Sequence, residues 1–139
     1  MIIMSVDYGD VRTGIALCDK KEFLASPVCV ITQRNEDKLL DEISLKAAEL
    51  KAEEIAVGLP KNMDGSEGFR AEACREFAKR LEEKTGIKTV LRDERLTTVV
   101  AHQYMNMNDV RGAKRKNTVD AVAAVIILED YLAFRKNTL

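Results

Sequence analysis

The chain has 139 residues, of which 46% are apolar and 32% charged, and its net charge is −1. These values fit one soluble globular domain over residues 1–139, long enough to bury a core without disulfide staples. They exclude a globally basic nucleic-acid binder, and no apolar run approaches the ~18 residues of a membrane helix. The start lacks the basic segment and cleavage site of a secretion signal, so a cytoplasmic protein is expected. Ile2 to Val6 is an unalternating apolar run and predicts a central strand covered on both faces. It ends at Asp7-Tyr8-Gly9, and Asp7 to Arg12 carries turn chemistry. Thr13 to Cys18 and Phe23 to Ile31 predict two more strands, joined by the polar turn Asp19-Lys20-Lys21-Glu22. Three strands with such short connections form an antiparallel meander.

The period then changes. Asn35 is a good N-cap, with Glu36 and Asp37 where a helix dipole favours acids. Leu39, Leu40, Ile43, Ala47 and Leu50 follow at helical spacing. Glu54 to Leu59 predicts a short strand closed by Pro60. Asn62 to Gly68 is a polar loop. Cys74, Phe77, Ala78 and Leu81 mark a second helix that stops at Gly86. Lys88 to Leu91 predicts a fifth strand. A helix is expected from about Thr97 to Met107. Another is expected from near Asn117 to about Phe134, after the basic loop Arg111 to Lys116. The order β-β-β-α-β-α-β-α-α implies an α/β fold, a mixed sheet with helices on its faces. Cys18, Cys29 and Cys74 are scattered and form no CxxC pair, so they read as small core hydrophobes.

Two acids stand where apolar strands end: Asp7 closes the first and Glu94 follows the fifth. Functional groups of open α/β sheets gather outside the carboxyl ends of parallel strands. Asp120 lies in the first turn of the expected last helix, and convergence of the three depends on that helix crossing near the strand ends. Clustered carboxylates repel one another unless a cation joins them. Hard ions such as Mg²⁺ or Mn²⁺ suit carboxylate, water and phosphate oxygens, and a two-metal site cuts phosphodiesters without histidine. The chain has one histidine, His102. Each acid also has a plainer reading. Asp7 is a turn former, Glu94 pairs with Arg92 or Arg95 and leaves its role to Asp93, and Asp120 caps a helix with Asn117. Gly58, Gly65 and Gly68 suit a phosphate cradle or ordinary turns. Arg12 and Arg95 beside the acids, and Arg111, Lys114, Arg115 and Lys116 in the basic loop, are candidate phosphate contacts.

Four motifs in order resemble the YqgF/RuvX family of the ribonuclease H-like superfamily. They are Asp7-Tyr8-Gly9 with Arg12, Gly14 and Ala16; Val57-Gly58-Leu59-Pro60 with Asn62 to Ser66; Asp93 to Thr98; and Lys116 to Asp120 with Ala121 to Ala124. The resemblance spans Met4 to about Leu132. It implies a five-stranded sheet with the first three strands antiparallel. It also implies a metal-dependent nuclease with Asp7, Glu94 and Asp120 as ligands. Members are described as nucleases for the 5′ end of the 16S ribosomal RNA precursor and as resolvases of Holliday junctions. A resolvase cuts two strands symmetrically and so is expected as a homodimer. Two other readings stand beside these. One is a non-catalytic RNA-binding module, although aromatics for base stacking are only 5% of the chain. The other is the phosphate loop of sugar kinases and actin-like ATPases, proteins that need more than twice this length.

Overall fold

How many faces each segment can bury decides its place in the fold. The computed structural model describes residues 1–60, 68–93 and 112–138, with the backbone alone for 112–120 and 138. In chain order the elements are β1 (Ile3–Asp7), β2 (Arg12–Cys18), β3 (Ala25–Thr32), α1 (Glu36–Leu50), β4 (Glu54–Leu59), α2 (Phe69–Thr85), β5 (Lys88–Asp93) and α3 (Gly112–Thr138). The strands form one sheet in the order β3-β2-β1-β4-β5. β2 pairs antiparallel with both β1 and β3, while β4 is parallel to β1 and β5 to β4. This is the mixed sheet that the family resemblance implies.

The apolar runs of β1 and β4 sit in the middle and are covered on both sides. Met4, Val6, Ile15, Ile55 and Val57 face α1 and α2, where they meet Leu39, Ile43, Phe77 and Leu81. Ile3, Ala16, Cys18 and Ala56 face α3, where they meet Ala124, Leu128 and Tyr131. The period of two along a strand makes this division. Helix α1 starts where expected: the Asn35 side chain accepts from the Lys38 amide at 2.9 Å. Helix α2 stops at Gly86, whose φ of 71° is the left-handed conformation glycine adopts at low cost. Cys18 and Cys74 are buried, Cys29 is half-buried, and none forms a disulfide.

The last helix runs on to Thr138 rather than about Phe134, and three other boundaries differ from the sequence expectation for a visible reason. β3 begins at Ala25 rather than Phe23, because the Asp19 carboxylate takes the amides of Phe23 and Leu24 at 2.8 and 3.0 Å and withdraws them from strand pairing. β5 continues to Asp93, paired with Leu59, because β4 offers a ladder of that length. The last helix begins at Gly112, not near Asn117. The stretch read as a basic loop is therefore helical from 112 onward. Alanine, lysine and arginine are strong helix formers, and Gly112 is too close to the start to interrupt them. Asp120 consequently stands in the third turn, and Asn117 is not its cap. The helix expected from about Thr97 to Met107 lies outside the described residues, as do Glu94, Arg95, Arg111 and Gly65.

Phe77 is fully buried between α2 and the sheet. Phe77→Ala should cost about 3–5 kcal/mol, the usual loss for a buried aromatic. A urea titration that finds less than about 1 kcal/mol would show that the α2 layer contributes little to the core.

Candidate active site

β1, β4 and β5 run parallel, so their carboxyl ends at Asp7, Leu59 and Asp93 open on one edge of the sheet. Alternation sends Ile3, Ser5 and Asp7 toward α3, and Met4, Val6 and Tyr8 toward α1 and α2. Ser5 fixes the assignment, because its buried hydroxyl donates to the Ala124 carbonyl of α3 at 2.6 Å. The helix can come this close because the register neighbours of Ser5 are Ala16 on β2 and Ala56 on β4.

The next row on this face centres on Asp7, which is half-buried. Its partner on β2 is Gly14. On β4, one residue beyond the Val6–Val57 pair, lies Gly58. Neither glycine has a side chain, so the two register neighbours of Asp7 leave space beside its carboxylate. Gly58 thus belongs to a strand rather than to a phosphate-cradling turn. Gly68 sits at the N-terminus of α2 in extended backbone and makes no side-chain cap.

Helix α3 runs antiparallel to β1, since Ile3 meets Leu128 and Tyr131 while Ser5 meets Ala124. From Ser5 to Asp7 the strand advances about 6.6 Å. From Ala124 back to Asp120 the helix advances about 6 Å in the same direction. The backbone of Asp120 therefore runs beside that of Asp7. Arg12 opens β2 two residues before Gly14 and so shares the face of Asp7. Lys114, Arg115 and Lys116 lie in the first turns of α3, at the same end of the sheet.

Asp93 is on the other side. It shares a face with Leu91, two residues before it, which packs against the α2-side clusters. Arg92, between them, faces α3 and ties β5 to it. Its Nη2 donates to Asp130 at 2.8 Å, and its guanidinium lies 4.5 Å from the Phe134 ring centre. Among the described residues no three His, Cys, Asp or Glu side chains gather into a metal site. Of the three expected ligands, Asp7 alone has a described side chain. The donors at this edge are carboxylate oxygens, which suit a hard ion, because Cys18 and Cys74 are buried within the core clusters.

The turn after Asp7 is held from three sides. A side chain on Gly9 would begin 1.9 Å from the Arg12 carbonyl oxygen, so only glycine fits there. The Gly9 amide donates to Thr13 Oγ1 at 3.3 Å. The Tyr8 ring stacks on Phe77 with centres 4.0 Å apart, and its hydroxyl donates to Glu36 at 2.8 Å. Arg70, which no sequence pattern marks, donates to the Tyr8 carbonyl, lies 4.8 Å from the centre of its ring and pairs with Asp10 at 2.7 Å. Burial of the ring, and then the Glu36 carboxylate, push the Tyr8 hydroxyl up to about 12.

A family model described as RuvX, Holliday junction resolvase, matches residues 1–134. The chain belongs to the RuvX family. Among its RuvX relatives, one from Clostridium botulinum (strain Alaska E43 / Type E3) is 41% identical over 132 residues, covering 95% of this chain and 96% of the relative. Another, from Halothermothrix orenii, is 42% identical over 135 residues, covering 97% and 96%. Both are named as candidate pre-16S rRNA nucleases. Among solved structures, T. thermophilus RuvC in complex with a Holliday junction substrate shares the fold. It aligns with a TM-score of 0.64 at 12% identity, covering 99% of this chain and 97% of that one. The ribonuclease H-like architecture is thus common to the RuvX chain and a junction resolvase.

Tyr8 keeps its proton in the folded protein to about pH 12, whereas an unfolded tyrosine loses it near pH 10. The contribution of this group to stability is complete below about pH 10 and is lost as pH rises toward 12. Tyr8→Phe should therefore show a shallower fall in melting temperature over that interval than wild type. Equal falls in the two proteins would mean that Tyr8 ionises as an ordinary tyrosine.

Proposed function

We propose that this chain is a divalent-metal-dependent nuclease that trims the 5′ end of precursor 16S ribosomal RNA, with Asp7, Glu94 and Asp120 as the metal ligands. One observation carries the reading: Asp7 ends a central strand between two glycines, with the backbone of Asp120 beside it, in a chain of the RuvX family. A cap or turn role explains this poorly, because Asp120 stands in mid-helix, where its dipole benefit is small. The face occupied by Asp93 favours Glu94, the next acid in the chain, as the partner of Asp7. The same reading sets the work of the protein in the cytoplasm.

Bound Mg²⁺ or Mn²⁺, in a two-metal arrangement, would supply a hydroxide nucleophile and neutralise the leaving oxygen. Asp7, Glu94 and Asp120 would hold the cations and balance their charge. Arg12, on the face of Asp7, and Arg95, beside Glu94, orient the phosphate through paired N–H groups. Arg111, Lys114, Arg115 and Lys116 grip the backbone further out. Three cations at the positive end of a helix dipole are unfavourable unless an anion joins them, and this supports a phosphate contact there.

A second reading has its own support. The family model is described for Holliday junctions, and the RuvC likeness is to a junction complex. A resolvase would act as a homodimer. Purified protein with Mg²⁺ or Mn²⁺ should be given a 16S precursor leader, a four-way DNA junction and plain duplex. Trimming of the leader supports the first reading, and paired symmetric nicks in the junction support the second. Inertness on all three would sink both in favour of a non-catalytic binding module.

The ligand assignment has two checks. Glu94→Gln should abolish cutting, while Asp93→Asn should leave it within about threefold of wild type, a change of less than 1 kcal/mol in barrier. The reverse ranking would make Asp93 the ligand. Asp7→Asn nearly preserves shape and relieves repulsion among the acids. In chelator it should melt at the wild-type temperature or higher, yet cut nothing. With a dissociation constant near 1 mM, ~10 mM Mg²⁺ should add about 1.4 kcal/mol to wild type, a few degrees, and much less to the variant. A variant clearly destabilised in chelator, beside a wild type unmoved by Mg²⁺, would make Asp7 a structural residue.

A further inference from the structure

We propose that Arg70 is a substrate-binding residue that takes a backbone phosphate of the nucleic acid, and that Asp10 holds its guanidinium in the place of that phosphate until substrate arrives. The proposal rests on the nucleic-acid reading above and adds a contact to it. Arg70 lies in the first turn of α2, beside the carboxyl ends of the parallel strands, and its own neighbour Ala71 packs with Leu59. Its guanidinium makes two kinds of contact. One kind is built into the fold: Nη2 donates to the carbonyl of Tyr8, the residue after Asp7, and the plane lies 4.8 Å from the Tyr8 ring centre. Tyr8 is itself fixed by Phe77 and Glu36. The other contact is with Asp10 through Nη1 at 2.7 Å.

The two ends of that ion pair are unequal. Asp10 is 85% exposed on the turn, whereas Arg70 is 38% exposed and anchored by its other nitrogen. Pairs this open to water contribute little, because the carboxylate regains hydration when it leaves. Nη1 meets a single Asp10 oxygen, and a phosphate offers an anionic oxygen of the same kind to that nitrogen. A phosphodiester can therefore replace Asp10 without re-aiming the guanidinium, which the Tyr8 contacts keep in place. Such preorganisation lowers the ordering cost of binding. The negative charge of Asp10 would meanwhile disfavour any strand that has not displaced it.

A purely structural clamp predicts the opposite sign for one substitution. If the pair only stiffens the turn, Asp10→Asn should loosen the site and weaken binding. If Asp10 competes with phosphate, Asp10→Asn should tighten it. The experiment uses the full chain in chelator, so that nothing is cut, with a short fluorescein-labelled RNA strand followed by anisotropy at several salt concentrations. Arg70→Gln should weaken binding about tenfold and remove roughly 0.7 from the log–log salt slope, the effect of one lost phosphate contact on a single strand. Arg70→Lys should keep the slope and weaken binding by a few fold, since the fork becomes a point charge. Asp10→Asn should tighten binding about threefold, the size expected of an exposed pair. In the double variant Asp10→Asn/Arg70→Gln that gain should vanish, which separates competition for Arg70 from the loss of one negative charge.

A gain that persists without Arg70, no gain at all, or an unchanged slope in Arg70→Gln would overturn the proposal. Wild type that binds neither this RNA nor a four-way DNA junction at low salt would overturn the nucleic-acid reading itself. Wild type that binds normally and is indifferent to Arg70 would overturn this contact alone.

Discussion

The close approach of α3 to β1 is the constraint on which the rest of the molecule depends. It is made possible by a row of small side chains, Ala16, Ser5 and Ala56, that crosses three strands. A valine or leucine at any of the three would hold the helix away and break the 2.6 Å bond from Ser5 to Ala124. That bond is worth only about 1 kcal/mol in stability. Its larger consequence is geometric, because it sets the level at which α3 crosses and hence which helical residue stands beside Asp7. The glycines of the next row continue the same device. They keep the sheet surface low beside an acid, where a pair of ordinary strand residues would fill the space.

The opposite face follows a different rule. There the side chains are large, and the half-buried Tyr8 ring stacks on Phe77 against the core that α1 and α2 cover. Adjacent residues of one strand end thus have opposite duties. Tyr8 anchors the turn to two helices, and Asp7 is left to face α3. The anchoring reaches Asp7, the proposed ligand, through the backbone alone, since Tyr8 and Asp7 point to different sides. The pair Arg92–Asp130 does comparable work at β5, where it ties the strand to α3 just before the chain leaves for Glu94.

Charge is distributed to match. The net charge is −1, so long-range attraction for nucleic acid is weak and the grip must be local. The proposed phosphate contacts, Arg12, Arg70 and the basic start of α3, come from three different elements at one end of the sheet. Each alone resembles a surface charge of ordinary kind. The proposed chemistry suits a chain with one histidine, because phosphodiester cutting by bound cations needs carboxylates rather than a proton-shuttling imidazole.

The sequence by itself determined the fold class and the elements among the described residues, and it supplied the acids that the proposed function uses. Apolar runs, Asn35 and Gly86 each act through contacts within a few residues, and those are visible in any window of that length. The four motifs added the family. Three boundaries were not legible because the deciding partner was elsewhere or unpatterned. The Asp19 side chain withdrew two amides from β3, the length of β4 extended β5, and helix propensity carried α3 through a stretch whose charges suggested a loop. The facing of the acids was decided only by tertiary structure. A strand residue has two sides, and which one carries Asp7 rather than Asp93 depends on where α3 lies. Arg70 had no signal at all in the sequence, since its partners Tyr8 and Asp10 are some sixty residues away and meet it only when α2 packs across the strand ends.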